Sequence, residues 1–328
     1  MHSPREDSFY MPGTQHQSRK ASMRKHGLTF TELLTVIALV GILASILLPA
    51  VARSLEAERR QSCANNLKQI GRAFRMYSTE AEELKFPPAA NDSTPNNRAD
   101  DANYPDASPS GVALYPEFIN DVSVFFCPSA TADPKHFVSC PDGEWCNPTT
   151  GQLDPNYFGR ATYLYYGWCA FTPEEWIVIG SAAKGLSDAN EMPYPANIAW
   201  IDEDFVWTDV RDAVMAEMHD TLSKRGFPDI VPTGNAGGDT IYRIRKGIER
   251  LLTTEVNNPA NAAKVESELP VMWDHIELGL PYIVIRVKRF NHIPDGNNVL
   301  YMDGHVEWLR FPAAKHPCTK MNACGALL

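Results

Sequence analysis

The feature that most constrains this chain is a run of 24 residues, Leu28 to Val51 (LTFTELLTVIALVGILASILLPAV), with one ionisable side chain, Glu32. As a helix it reaches about 36 Å, enough to cross a hydrocarbon layer of roughly 30 Å. Its flanks differ in charge. Residues 1–27 carry Arg5, Arg19, Lys20, Arg24 and Lys25 against Glu6 and Asp7, a net of +3, and removing that from the whole-chain −10 leaves −13 on the remainder. Basic residues before the run and an acidic region after it predict a cytoplasmic N-terminus, with the bulk of the chain outside. A secretory signal peptide would have a shorter apolar region followed by a small-residue cleavage site. A plain anchor leaves Glu32 unexplained, because a charge at bilayer depth costs roughly 3 kcal/mol even on the lenient insertion scale.

Arg24-Lys25-His26-Gly27 followed by this run resembles the class III signal of type IV pilins and type II secretion pseudopilins. The resemblance implies that a prepilin peptidase cuts between Gly27 and Leu28, leaving the apolar helix attached. Glu32 then becomes the fifth residue of the mature chain, where the family keeps a glutamate. Gly41 and Pro49 also fall where pilin helices carry Gly and Pro. Leu28 departs from the more usual Phe, which leaves N-methylation of the new terminus open. In an assembled filament Glu32 is expected to pair with the Leu28 amine of a neighbour, since a buried carboxylate without a partner is costly. Snorkelling toward lipid headgroups is the alternative. Pro49 lacks a backbone donor and should kink or locally melt the helix.

Beyond the run, Leu67, Ile70, Phe74, Tyr77, Ala81 and Leu84 recur at helical spacing, and Pro87-Pro88 follow. This predicts one helix over 28–84, membrane-spanning over 28–51 and amphipathic thereafter. The expected organisation is a cytoplasmic leader at 1–27, the long helix at 28–84 and a globular domain at 85–328. Residues 86–110, rich in Pro, Asn, Asp and Ser, read as an exposed loop. Strand-like runs occur at 122–126, 161–168, 197–201, 271–274 and 282–288. Helical patterns occur near 208–224 and 240–253, the latter with Asp239 or Thr240 as N-cap and Ile241, Ile244, Ile248 and Leu251 on one face. In NVLYMDGHVEWLRF (298–311), Asp303-Gly304 between alternating runs predicts a two-residue hairpin turn. The fold class expected is α+β and pilin-like: a long N-terminal helix packed on a domain with an antiparallel sheet.

FNHIPDGNNVLYMDGHVEWLRF (290–311) is similar to a bacterial family that joins a prepilin-type N-terminus to a C-terminal His, nine residues, then Asp-Gly. Here His292 precedes Asp303-Gly304 by ten residues, one more than that pattern. FFCPS at 125–129, GGDTIYRIRKGIER at 237–250, NNPA at 257–260 and PVMWDHI at 270–276 resemble the same family, whose biochemical role is mostly unassigned.

Seven cysteines, at 63, 127, 140, 146, 169, 318 and 324, all follow the apolar run and should meet an oxidising space. At least two disulfides are expected among the six from Cys127 to Cys324, with Cys63 the thiol left over. Metal binding and free buried thiols are the alternatives, and neither C-x5-C pair has a zinc-finger spacing. A cluster of His292, Asp303 and His305 is conceivable; the structural reading places His292 before the Pro294-Asp295-Gly296 turn and His305 in the hairpin. No cofactor is implied. Calcium on Asp295, Asn297, Asn298 and Asp303 is a second thought, without EF-hand spacing. The acids Asp202, Glu203 and Asp204 read as a solvated loop rather than glycosidase chemistry, and no nucleophile-elbow, zincin or P-loop pattern is present.

The sequence pI of about 5.4 argues against a general nucleic-acid binder. The expected function is a pseudopilin-like, non-enzymatic subunit, single-pass in a bacterial inner membrane with a periplasmic or extracellular domain. Its partners would be the prepilin peptidase, other pilin-like subunits and the inner-membrane assembly machinery. The alternatives are a membrane-anchored periplasmic binding module that uses a pilin-like export signal, and an anchored hydrolase.

Overall fold

The computed structural model describes residues 29–81, 84–90, 108–130, 133–159, 162–172, 175, 205–206, 235, 240–253, 259–279 and 286–319. The chain divides into two units, 1–52 and 53–328. Helix α1, Phe30–Glu80, contributes residues to both and is 51 residues long.

In the first unit, α1 exposes nearly every large apolar side chain it carries, from Phe30 through Val51. Its apolar window is wholly unburied, and among the described residues this is the one helix long and apolar enough to span a membrane. Pro49 leaves the Ser45 carbonyl without its helical donor, yet α1 runs through Pro49 without a break in the helix. The expected local melting is therefore corrected.

In the second unit, α1 turns one face inward: Cys63, Leu67, Ile70, Gly71, Ala73, Phe74 and Ser78 are buried. The helix stops at Glu80, short of the expected 84, and Leu84 instead adopts a left-handed backbone with φ of 57°. The stripe packs on a four-stranded antiparallel sheet. Its strands are β3 (Tyr163–Leu164), β6 (Pro270–Asp274), β9 (Gly296–Tyr301) and β10 (Val306–Arg310), in the order β10-β9-β6-β3. β6 and β9 are central and buried along their whole lengths, as two-sided coverage requires. Gly71 permits the close approach of helix to sheet, since a Cβ there would lie 2.9 Å from Leu300 Cδ1. Phe74 is fully buried, with ring centroids of Tyr165 at 4.9 Å and Phe86 at 5.9 Å. Phe74→Ala is expected to destabilise this unit by about 3–5 kcal/mol, read as a lower urea midpoint with an unchanged slope. A loss under about 1 kcal/mol would mean that the helix is not part of the cooperative core.

Smaller elements surround this core. They are α2 (Gly111–Leu114), α3 (Pro134–Val138), α4 (Pro259–Glu268), and the pairs β1–β2 (Cys146–Asn147 with Gln152–Leu153), β4–β5 (Phe205–Val206 with Thr240–Ile241) and β7–β8 (Ile276–Gly279 with Arg286–Phe290). Two expectations are corrected. The run 122–126 is a 3-10 helix over Val122–Phe125, because the Asp121 side chain accepts from Ser123 N and starts a turn. The segment 240–253 is not a helix. It begins as β5, stays extended enough for Arg243 to bridge Trp168 and Arg245 to bridge Lys85, then turns at Gly247 (φ 90°) into a 3-10 turn at Ile248–Arg250. Residues 197–201 and 208–224 lie outside the described residues.

Candidate functional site

Two places carry the candidate chemistry, one in each unit. Gly27 and Leu28, the expected processing site, lie outside the described residues; Thr29 follows them, and α1 begins at Phe30. Thr29 N and Thr29 Oγ1 both donate to Glu32 Oε2 at 2.8 Å, while Glu32 N donates to Thr29 Oγ1 at 3.3 Å. This reciprocal pair is a capping box, Thr-x-x-Glu, which satisfies donors that a helix start leaves free. Glu32 therefore has a local role that the apolar-run argument missed, although Thr29 three positions ahead was a readable signal.

The C-terminal motif separates into two parts. Asp303 and Gly304 form the hairpin end. The connection is not the expected two-residue turn: Gly304 N donates to the Tyr301 carbonyl and Tyr301 N to the His305 carbonyl, so Met302, Asp303 and Gly304 make a three-residue loop. The left-handed residue is Gly304 (φ 85°), while Asp303 Oδ1 accepts from His305 N at 2.9 Å. Arg75 Nη2 donates to the Met302 carbonyl at 2.9 Å, docking this hairpin end on α1. Asp303 and His305 pair with each other at the surface, and His292 does not join them. Nor do the calcium candidates converge. β9 lies between Asp295 and Asp303, a span of about 20 Å for six extended residues, and Asn297 and Asn298 are buried whereas Asp295 is exposed.

His292 is instead wholly buried in a different cluster. One ligand atom from each of Cys63, Cys127, Asp274 and His292 lies within 4.8 Å of the other three. Cys63 comes from α1 in the register of its buried stripe. Cys127 follows the 3-10 helix, with its backbone N–H held by Thr162 Oγ1. Asp274 ends β6, and His292 sits in the bend between β8 and β9. The contacts are short: Cys63 Sγ to Asp274 Oδ1 3.2 Å, Cys127 Sγ to His292 Nε2 3.3 Å, and His292 Nε2 to Asp274 Oδ2 3.4 Å. Tyr163 Oη lies 3.1 Å from Cys63 Sγ, and Asn298 N donates to Asp274 Oδ2 at 2.7 Å. On its other ring nitrogen, His292 Nδ1 meets Glu56 Oε1 at 2.9 Å, and Ser129 Oγ donates to both Glu56 oxygens at 3.1 Å.

The electrostatics follow from this crowding. Burial drives the Cys63 thiol far above its ordinary value, with the Cys127 hydrogen bond and the Asp274 charge adding to it. The hydrogen bond from Cys63 lowers Cys127 to about 7, against burial and with help from His292. Burial works to discharge His292, but its bonds and charge interactions with Asp274 and Cys127 outweigh that and raise it to about 10. These residue types could hold a metal, and Cys127–His292–Glu56 also has the linear order of a nucleophile, base and orienting acid. Burial of both Cys127 and His292 closes that arrangement to substrate.

The remaining cysteines bear out a disulfide but not the expected number. Among the described residues there is one disulfide, Cys140–Cys146, while Cys127, Cys169 and Cys318 are free and buried. Cys63 is free, as expected, but it faces a second thiol rather than standing alone. Cys324 and the acids at 202–204 lie outside the described residues. No protein-family model, no curated protein and no solved structure matches this chain.

Proposed function

We propose that the chain is a pseudopilin-like structural subunit. It enters the inner membrane through the apolar half of α1, with its N-terminus cytoplasmic and its acidic domain outside. Prepilin peptidase cuts it between Gly27 and Leu28, and it then joins other pilin-like subunits in a type II secretion or type IV pilus-like filament. The observation that carries this reading is the double use of α1: residues 30–51 present unburied apolar side chains, and residues 63–78 form one wall of an α+β core. A helix of that kind supplies both a membrane anchor and a face for lateral packing in a fibre. Cutting after Gly27 leaves 301 of the 328 residues, a size that suits a low-copy or cargo-binding subunit.

The capping box favours a second reading, an anchored periplasmic binding module with a pilin-like export signal, because it gives Glu32 a use that needs no neighbour. Processing is the first test. Coexpression with a prepilin peptidase is expected to shorten the chain by 27 residues, so that N-terminal sequencing begins at Leu28. A chain that keeps its leader beside an active peptidase would remove the pilin reading.

A further inference from the structure

We propose that Cys63, Cys127, Asp274 and His292 bind one zinc ion in a closed tetrahedral site that locks α1 to the sheet. The inference concerns the globular unit alone and stands whether or not the chain enters a filament. Zinc bonds of about 2.3 Å to sulfur and about 2.0 Å to nitrogen or oxygen give tetrahedral edges of about 3.3–3.8 Å. The contacts of 3.2 Å (Cys63 to Asp274 Oδ1), 3.3 Å (Cys127 to His292) and 3.4 Å (His292 to Asp274 Oδ2) lie at or just below the short end of that range, and one ligand atom from each of the four residues lies within 4.8 Å of the others. An ion among these four donors needs only side-chain adjustments of the ligands.

The chemistry of the donors points the same way. Two thiols and an imidazole select zinc over calcium or magnesium, which take oxygen. The ring is oriented as a ligand: Nδ1 is engaged by the Glu56 carboxylate, so that Nε2 faces Cys127 and Asp274. A carboxylate behind a metal-bound histidine is the recurrent way to fix tautomer and ring plane. Ser129 and the Ile293 N–H hold that carboxylate in turn. Asp274 is wholly buried, accepts from Asn298 and turns Oδ2 to His292 Nε2 at 3.4 Å, so its carboxylate faces into the cluster. A divalent cation bonds directly to that carboxylate and to both sulfurs, and it releases to solvent the two thiol protons and any proton that His292 holds on Nε2. With four protein ligands there is no open position, so the site is structural rather than catalytic.

The test uses the full chain, purified in mild detergent with a histidine-free tag and no chelator. Elemental analysis is expected to find about one zinc per chain, with X-ray absorption showing two sulfur and two nitrogen or oxygen neighbours. Cys63→Ser, Cys127→Ser and His292→Ala should each lose the ion, while the Cys140→Ser/Cys146→Ser double variant should retain it. To keep the test independent of how the variants fold, wild-type protein stripped by chelation is also titrated with cobalt. A tetrahedral cobalt spectrum with thiolate charge-transfer bands, displaced by zinc, is the expected result. Three results would overturn the proposal: a Cys63–Cys127 disulfide in protein taken from cells, zinc retained by the His292 and cysteine variants, or free thiols that take up neither metal.

Discussion

Glu32→Gln is expected to leave membrane insertion and leader cleavage intact while reducing co-assembly with other pilin-like subunits by at least about tenfold, a change that needs only about 1.4 kcal/mol. Glutamine keeps the size of the side chain and serves at the third position of a capping box as glutamate does. The bonds from Thr29 therefore survive the change, and the start of α1 is preserved. What disappears is the charge. In a low-dielectric assembly an amine and a carboxylate in contact attract strongly, and the amine exposed by cleavage before Leu28 is the proposed partner. The comparison to make is crosslinked assemblies from wild type and variant at equal expression. Equal yields would reduce Glu32 to its capping role and favour the anchored binding module.

Asp274→Ala is expected to destabilise the globular unit by about 3–5 kcal/mol, a large part of the roughly 5–15 kcal/mol that holds a domain together. The side chain is wholly buried and accepts from Asn298 N at 2.7 Å and Asn298 Nδ2 at 3.1 Å. Alanine leaves those donors and His292 without their acceptor at the point where β6 meets β9 and β3. Urea unfolding of the full chain in detergent, followed by near-ultraviolet dichroism, measures the loss. Asp274→Asn should fall between, because it keeps one acceptor oxygen but replaces the other with a donor. A midpoint for Asp274→Ala within error of wild type would show that the cluster does not hold the sheet.

The parts of this fold that were legible in the sequence are those whose determinants are local. An unbroken apolar run, a 3.6-residue stripe from Leu67 to Phe74, and Asp-Gly between alternating residues each speak within one element. The segment 240–253 misled because Ile241, Ile244 and Ile248 satisfy a helical period by accident while serving an extended segment and a turn. Gly247 inside the pattern was the sign that it would break. The buried cluster was harder for another reason. Cys127 and His292 are 165 positions apart, and Cys63 and Asp274 are 211 apart, so no spacing rule for adjacent ligands reaches them. Two clues were present. Cys63 stands four residues before Leu67, which extends the buried stripe back to it. Asp274 closes the apolar run PVMW, an odd place for a carboxylate without a purpose.

The order of the main sheet bears on how copies of this chain can meet. Among the described residues, β10 has a partner on one side only, and a bare strand edge is a template for further strands. Here that edge carries Glu307 and Arg310 and is followed at once by Pro312, which has no N–H to offer. Lys315 Nζ reaches Glu307 Oε2 at 3.2 Å along the same border. Charges and a proline are the usual means of stopping a neighbour from adding to a sheet. The border that looks like a template for a further strand is thus built to refuse one, and addition of a neighbour's strand at β10 is disfavoured.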